Sequence, residues 1–261
     1  MLLGVCLLLL SLAFGLLAVT RGGFHWLALW PAFSFLLIAA AYFGGGPRLL
    51  GKRRNGKLHP LSLVIHAPYL LLTFLVFHAV TTIRGSRDAS EVAKSLWLGR
   101  RPMLRDVPIG TTLLADMTCE FSAVRGLDEA CEYIALPTLD NSAPPLADLL
   151  PFVRRIAAHN GVVYLHCAQG HGRSALAMAC VLIARGEAAD AESALAMIRK
   201  VRPRAVDTRA DETIARSGRG ASYFLSPVLG RIMHQVTWSG CVSHETERRS
   251  RSFCLKVLLL R

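Results

Sequence analysis

The stretch VVYLHCAQGHGRSALAMACVLIA, Val162–Ala184, decides how this chain is read. Its first five residues are β-branched, aromatic or aliphatic and end at His166, the pattern of a buried strand. Cys167 follows, then a turn with Gly170 and Gly172, then Arg173-Ser174 and an apolar run of helical character. A strand ending at His166 delivers Cys167 to the carboxyl edge of an α/β sheet, where such sheets bind ligands. Ala168, Gln169, Gly170, His171 and Gly172 can curl so that successive N–H groups point inward as an anion nest. The two glycines permit the backbone angles this needs. The helix starting near Arg173 adds the positive end of its dipole. These surroundings favour a thiolate over a thiol, and the Arg173 guanidinium matches two oxygens of a phosphate.

Together these residues point to phosphoryl transfer to sulfur. Cys167 attacks phosphorus while the loop amides and Arg173 hold the equatorial oxygens. The Ser174 hydroxyl is placed to hydrogen-bond the sulfur and ease its departure in the second step. His166 orders the loop rather than acting as base. No metal and no cofactor is called for: His171 beside Cys167 lacks the further ligands of a metal site.

His166, Cys167, Gly170, Arg173 and Ser174, in the order His-Cys-x-x-Gly-x-x-Arg-Ser, resemble the signature of the dual-specificity branch of the cysteine-dependent protein tyrosine phosphatases. A bare Cys-x5-Arg says little; the full pattern between a strand and a helix is specific. The resemblance covers roughly residues 95–204, with Leu98-Gly99 like the family's opening strand and Val201-Arg202-Pro203 like the segment closing a later helix. It implies a general-acid aspartate on a loop upstream of the cysteine. Asp140, in Leu136-Pro137-Thr138-Leu139-Asp140, stands in the corresponding place, with a helix and a strand before Cys167. As acid it would protonate the leaving oxygen, and as carboxylate it would activate the hydrolytic water. Against this, Asp140-Asn141-Ser142 also reads as a polar turn before Pro144-Pro145. Asp148 is the reserve candidate, inside an expected helix, and Asp116 lies on a strand too early in the chain.

Outward from the motif, Leu96–Leu98, Thr112–Met117 and Cys131–Leu136 read as strands beside Val162–His166. Leu146–His159, Arg173–Arg185 and Asp190–Val201 read as helices, and Asp207–Arg216 as a fourth. Strands interleaved with helices give an α/β class, a sheet flanked by helices, over residues 95–216. Residues 84–94 read as a polar linker and 217–261 as a poorly ordered tail.

Residues 1–83 are of a different composition. Uncharged runs over 2–19, 24–43 and 61–83 are each near the ~20 residues that cross a hydrocarbon core, so about three transmembrane helices are expected. The chain carries a formal net charge of +12, part of it in Arg48, Lys52, Arg53, Arg54 and Lys57. That cluster reads as a topology signal or a site for anionic headgroups. Three spans would put it on the membrane face opposite the catalytic domain. No basic stripe interleaved with aromatics calls for nucleic acid. Seven cysteines, odd in number and unevenly spaced, do not form a disulfide framework. A working thiolate favours a reducing compartment, so the catalytic domain is expected on the cytoplasmic side of the inner or plasma membrane.

The resemblance implies a phosphotyrosine or phosphoserine/threonine protein as substrate. The apolar runs and basic cluster bring in a phospholipid as the alternative. Relatives acting on polyphosphorylated inositol lipids tend to carry lysines in the loop; this loop has none, which leaves a lipid with one phosphomonoester, such as phosphatidylglycerophosphate. A silent membrane-anchored binding module and a sulfur-transfer or arsenate-reducing enzyme also use such folds or loops. The joint presence of Cys167, Arg173 and Asp140 speaks against the first, and the spacing of Arg173, the following Ser174 and the upstream Asp140 against the second.

Overall fold

The computed structural model describes residues 2–84, 89–103, 106–124 and 126–205. The helix expected at 207–216 and the tail at 217–261 lie outside the described residues.

Five strands form one sheet in the order β1-β2-β5-β3-β4, with β1 Ala89–Ala93, β2 Leu96–Gly99, β3 Thr111–Thr118, β4 Glu132–Thr138 and β5 Val162–His166. β2, β5, β3 and β4 run parallel, and β1 pairs antiparallel with β2. β5 is central and reads as a continuous apolar run because both its faces are covered. On one face Leu96, Leu98, Leu113, Ala115, Val163 and Leu165 pack under three helices. These are α6 Leu146–Ala157, α7 Arg173–Ala184 and α8 Ala191–Val201. On the other face Leu114 and Tyr164 join Trp97, Tyr133 and Leu127, the last from the one-turn α5 Leu127–Ala130.

α6 follows the expected spacing, burying Leu149, Phe152, Val153 and Ile156 on one face, each worth about 1.5–3 kcal/mol. α7 is buried from Arg173 through Leu182; the alanines at 175, 177 and 179 let it lie close to the sheet. α8 starts at a reciprocal cap, in which Asp190 accepts from Ser193 N–H and the Ser193 hydroxyl accepts from Asp190 N–H.

Two expectations are corrected. The linker over 84–94 is in part structure: Ala89–Ala93 is the edge strand β1, its register with β2 shifted between Glu91 and Ala93. The run over 61–83 is not one span. It breaks at His66 into α3 Pro60–Ile65 and α4 Ala67–Arg84, and the His66 ring bonds the Leu49 carbonyl at 3.0 Å. Two N-terminal helices are long and apolar enough to cross a membrane: α1 Leu2–Arg21, and Gly23–Gly45, whose centre is α2 Leu29–Ala40.

The loop between the second and third runs is a hairpin docked on the sheet. Lys52 and Leu58 pair antiparallel. Ala123 N–H donates to Gly56 O at 2.8 Å and Leu58 N–H to Ser122 Oγ at 3.3 Å. A Cβ on Gly56 would strike the Tyr133 ring. Further along, Phe77 of α4 meets Phe121, ring centroids 5.3 Å apart. Leu58 and Phe77 thus reach neighbouring residues of the same corner. A straight helix over that stretch rises about 28 Å, so the kinked third run returns to the domain it left. The basic hairpin thus docks on the same domain that the third run leads into, which a straight helix over 61–83 would not allow.

Candidate active site

β5 ends opposite Gly99 of β2 and Asp116 of β3, both in register with His166. Cys167 follows, 4% exposed. The chain then turns through 168–172 into α7. Cys167 Sγ accepts hydrogen bonds from Gly170 N–H and from Ser174 Oγ, each at 3.2 Å. Gly170 has φ +73°, and a Cβ there would lie 2.4 Å from the Gly99 carbonyl. The turn thus needs glycine for both backbone angle and space. Its outer side is pinned by Arg101 N–H to Ala168 O at 2.8 Å and by Arg202 Nη2 to Gln169 O at 3.2 Å. Ala168, Gln169 and His171 are half-buried and Gly172 is exposed.

Arg173 is buried and its guanidinium is held on several acceptors. Its Nη2 reaches Glu120 Oε1 at 2.7 Å and its Nη1 reaches Glu120 Oε2 at 3.0 Å, a bidentate pair. Nη1 also donates to Thr138 O at 2.7 Å, and Nη2 lies 3.2 Å from Asp140 Oδ1. Nε is buried without a partner. Burial opposes the charge on Glu120, but the facing guanidinium outweighs it and holds that carboxyl below its ordinary value. The same pair keeps Arg173 charged against its own desolvation.

Asp140 sits on the turn after β4, its side chain 55% exposed. Ser142 N–H and Oγ both bond Leu139 O, and Asn141 takes φ +53°. The structure thus brings Asp140, Arg173, Ser174 and Cys167 around one mouth. Asp148 lies in the first turn of α6.

Beneath the loop is a second polar cluster. Asp116 is buried and accepts from Lys52 Nζ at 2.6 Å, Tyr133 OH at 2.6 Å, Thr118 N–H at 2.7 Å and Thr118 Oγ1 at 2.8 Å. His166 Nδ1 is 3.8 Å from Asp116 Oδ1 and 3.2 Å from Cys167 O. Burial works against the Asp116 charge; Lys52 first, then His166 and Tyr133, overcome it and hold the carboxyl well below the usual range. Burial pushes His166 below its ordinary 6.5 despite the Asp116 charge.

Glu120 and Lys52 are absent from the sequence reading of the site. Glu120 had a signal: a buried arginine on the nucleophile loop requires a carboxylate, and Glu120 follows β3, the neighbour of β5. Lys52 had none, since it stands in a basic cluster that reads as solvated.

The N-terminal helices pack against the segments that carry Glu120 and Asp140. Cys119 and Leu139, the neighbours of Glu120 and Asp140, cluster with Leu7, Phe35, Ile38, Ala39, Ala41, Leu50 and Tyr69. Tyr42 packs on this cluster, within electrostatic reach of Asp140, Glu120 and Arg173, and its hydroxyl is buried without a partner. Burial and the Glu120 charge push the Cys119 thiol up, so it stays protonated.

Residues 117–215 match the family model described as PTP-SAK, Swiss Army Knife protein, DSP-PTPase phosphatase domain. Among solved structures, the chain is similar to Tk-PTP in the active form, at 24% identity over 50% of this chain and 95% of that one, TM-score 0.42. It is also similar to PTPMT1 in complex with PI(5)P, at 21% over 57% and 96%, TM-score 0.43. Human DUSP28 aligns at 19% over 57% and 97%, TM-score 0.44. No curated protein sequence matches. The segment that holds Cys167 and Arg173 thus matches a dual-specificity phosphatase domain, and the protein carrying it is a cysteine-dependent phosphatase.

Proposed function

We propose that this phosphatase hydrolyses a phosphate monoester carried on a membrane lipid, through a phosphocysteine on Cys167. The observation that carries the lipid reading is the packing of the Asp140 turn on the apolar N-terminal helices. Leu139, next to Asp140, packs in one apolar cluster with Ile38, Leu50 and Tyr69 of the N-terminal segment. That packing ties the Asp140 turn to the apolar N-terminal helices, which supports a leaving alcohol held in the membrane over one on a solvated phosphopeptide. The 2–21 and 23–45 helices anchor the chain in the membrane. Arg53, Arg54 and Lys57 are exposed on the docked hairpin and Arg48 just before it, where each contributes about 1 kcal/mol of attraction to anionic headgroups. The loop side chains Ala168, Gln169 and His171 suit a single phosphate.

In the first step the Cys167 thiolate attacks phosphorus. An S–P bond forms, the P–O bond to the lipid alcohol breaks, and Asp140 gives its proton to the departing oxygen. Arg173, aimed by Glu120, and the loop N–H groups hold the three equatorial oxygens. In the second step Asp140 takes a proton from water, water oxygen attacks phosphorus, and the S–P bond breaks. Ser174 Oγ donates to the leaving sulfur. His166, Ala168, Gln169, Gly170, His171 and Gly172 form the phosphate loop.

The test is the full chain in detergent micelles, offered phosphatidylglycerophosphate, a phosphotyrosine peptide and a phosphoserine peptide. The account expects kcat/KM for the lipid to exceed both peptides by about 100-fold or more. Faster turnover of a peptide would replace this reading by a protein phosphatase.

A further inference from the structure

Lys52 belongs by sequence to the segment between two apolar runs, yet its side chain is wholly buried under the phosphate loop. It makes three hydrogen bonds: to Asp116 Oδ2 at 2.6 Å, to Thr118 O at 2.8 Å and to Thr118 Oγ1 at 3.0 Å. The hairpin that presents it is fixed by the Lys52–Leu58 pairing, by Arg53 N–H to Lys57 O at 3.0 Å and by Gly56 N–H to Arg53 O at 2.9 Å. Asp116 in turn stands beside His166, whose Nδ1 contacts the carbonyl of the nucleophile itself. A chain of contacts thus runs from the N-terminal segment to the peptide of Cys167.

We infer that Lys52 is a positioning residue: it neutralises Asp116 so that His166 stays an uncharged imidazole donating to Cys167 O, which sets the phosphate loop. The groups facing this pair come from every packed element. Lys52 comes from the hairpin, Tyr133 from β4 and Thr118 from the end of β3, with the Tyr164 ring stacked on His166 at 5.8 Å. Arg101, just after β2, adds a positive field that also disfavours imidazolium. Remove the ammonium and Asp116 becomes a buried carboxylate short of a counter-charge. It then recovers neutrality by drawing a proton, onto itself or onto the adjacent imidazole. Either proton adds an ionisation to the working enzyme. The N-terminal segment is on this account part of the catalytic centre as well as an anchor. The inference needs only the phosphatase activity, whatever the substrate, so it stands or falls separately from the lipid reading.

The test uses the full chain with p-nitrophenyl phosphate, an aryl ester that needs no membrane, and records kcat against pH. Lys52→Met is expected to lower kcat by roughly tenfold or more with KM within about threefold, and to add an ionisation to the profile absent from the parent. Lys52→Arg, which keeps the charge, is expected to retain the parent profile. Asp116→Asn is expected to make Lys52 irrelevant, so that Lys52→Met/Asp116→Asn and Asp116→Asn agree in kcat within about threefold. This last comparison holds even if Lys52→Met alone fails to fold. An unchanged kcat and profile in folded Lys52→Met would overturn the inference. So would a further tenfold loss in the double variant relative to Asp116→Asn.

Discussion

Glu120 shows what a buried arginine demands. Arg173 must be charged to hold a dianion, and in a site this dry it needs a fixed counter-charge before substrate arrives. Glu120 supplies it through two hydrogen bonds, which also set the plane of the guanidinium. Glu120→Gln is expected to cost about 10-fold or more in kcat/KM, read with an aryl phosphate, because the arginine loses both its charge partner and one acceptor. The buried groups also set a pH limit on stability. Glu120 and Asp116 have folded values below their ordinary 4.5 and 3.8. The stability they contribute is fully present above those ordinary values and is lost as pH falls toward the folded ones. His166, kept neutral below its ordinary 6.5, acts in the same direction from a higher pH, since the unfolded chain takes up its proton first. Thermal unfolding is therefore expected to weaken on acidification from about pH 6.5 and more steeply below about pH 4.5, and Glu120→Gln flattens the lower part. A Tm independent of pH between 7 and 4 would refute this, within the roughly one-kilocalorie scale of a single shifted pKa unit. Gly170→Ala belongs to the same scale. Its Cβ would strike the Gly99 carbonyl at a positive φ, so the turn must open. A loss of about 3 kcal/mol and near-complete loss of turnover is expected, read by denaturant unfolding and assay.

At the scale of elements, the strand–loop–helix around Cys167 was legible because all its information is local. The strand pattern, the glycines and the helix start lie within one stretch, and the signature residues fall where the contacts need them. The turn after β4 was legible by order in the chain, and the structure sets Asp140 against Arg173 through 3.2 Å. Asp140→Asn is expected to lower kcat by about 10²–10⁴-fold and to remove the acid's limb from the pH–rate profile. An unchanged profile would move the role to another carboxyl group. What escaped the sequence was pairing between distant elements. Asp116 was set aside as too early in the chain, yet β3 lies next to β5 and delivers it to His166. The edge strand β1 reads as linker because Ala89–Ala93 is short and polar, and an edge strand covered on few sides needs little apolar character. The third apolar run looked like a span by length, although Pro68 and His66 already marked the place where it bends.

For the whole molecule, the docked hairpin changes what the N-terminal segment is. A tether needs no contacts with the domain it carries. Here Lys52, Gly56 and Leu58 lock onto β3 and its neighbours, and the 2–45 helices pack against Cys119 and Leu139 beside the site. Hairpin and domain on one side is testable by labelling. In vesicles holding the full chain, a membrane-impermeant maleimide is expected to modify Asn55→Cys and Ala189→Cys from the same side, above the parent's background. Labelling from opposite faces would restore a third crossing. Tyr42 gives the functional counterpart. Its hydroxyl is buried without a hydrogen-bond partner, and on the lipid reading it donates to an oxygen of the substrate alcohol. Tyr42→Phe is expected to lower kcat/KM on phosphatidylglycerophosphate by about tenfold and on p-nitrophenyl phosphate by less than about threefold. The central claim, phosphoryl transfer to Cys167 from a membrane-borne monoester, is tested most directly by Cys167→Ser in the full chain. The account predicts that phosphate release from phosphatidylglycerophosphate falls by about 10⁴-fold or more while binding of that lipid stays within about tenfold of the parent. Phosphate release that survives the substitution would contradict it.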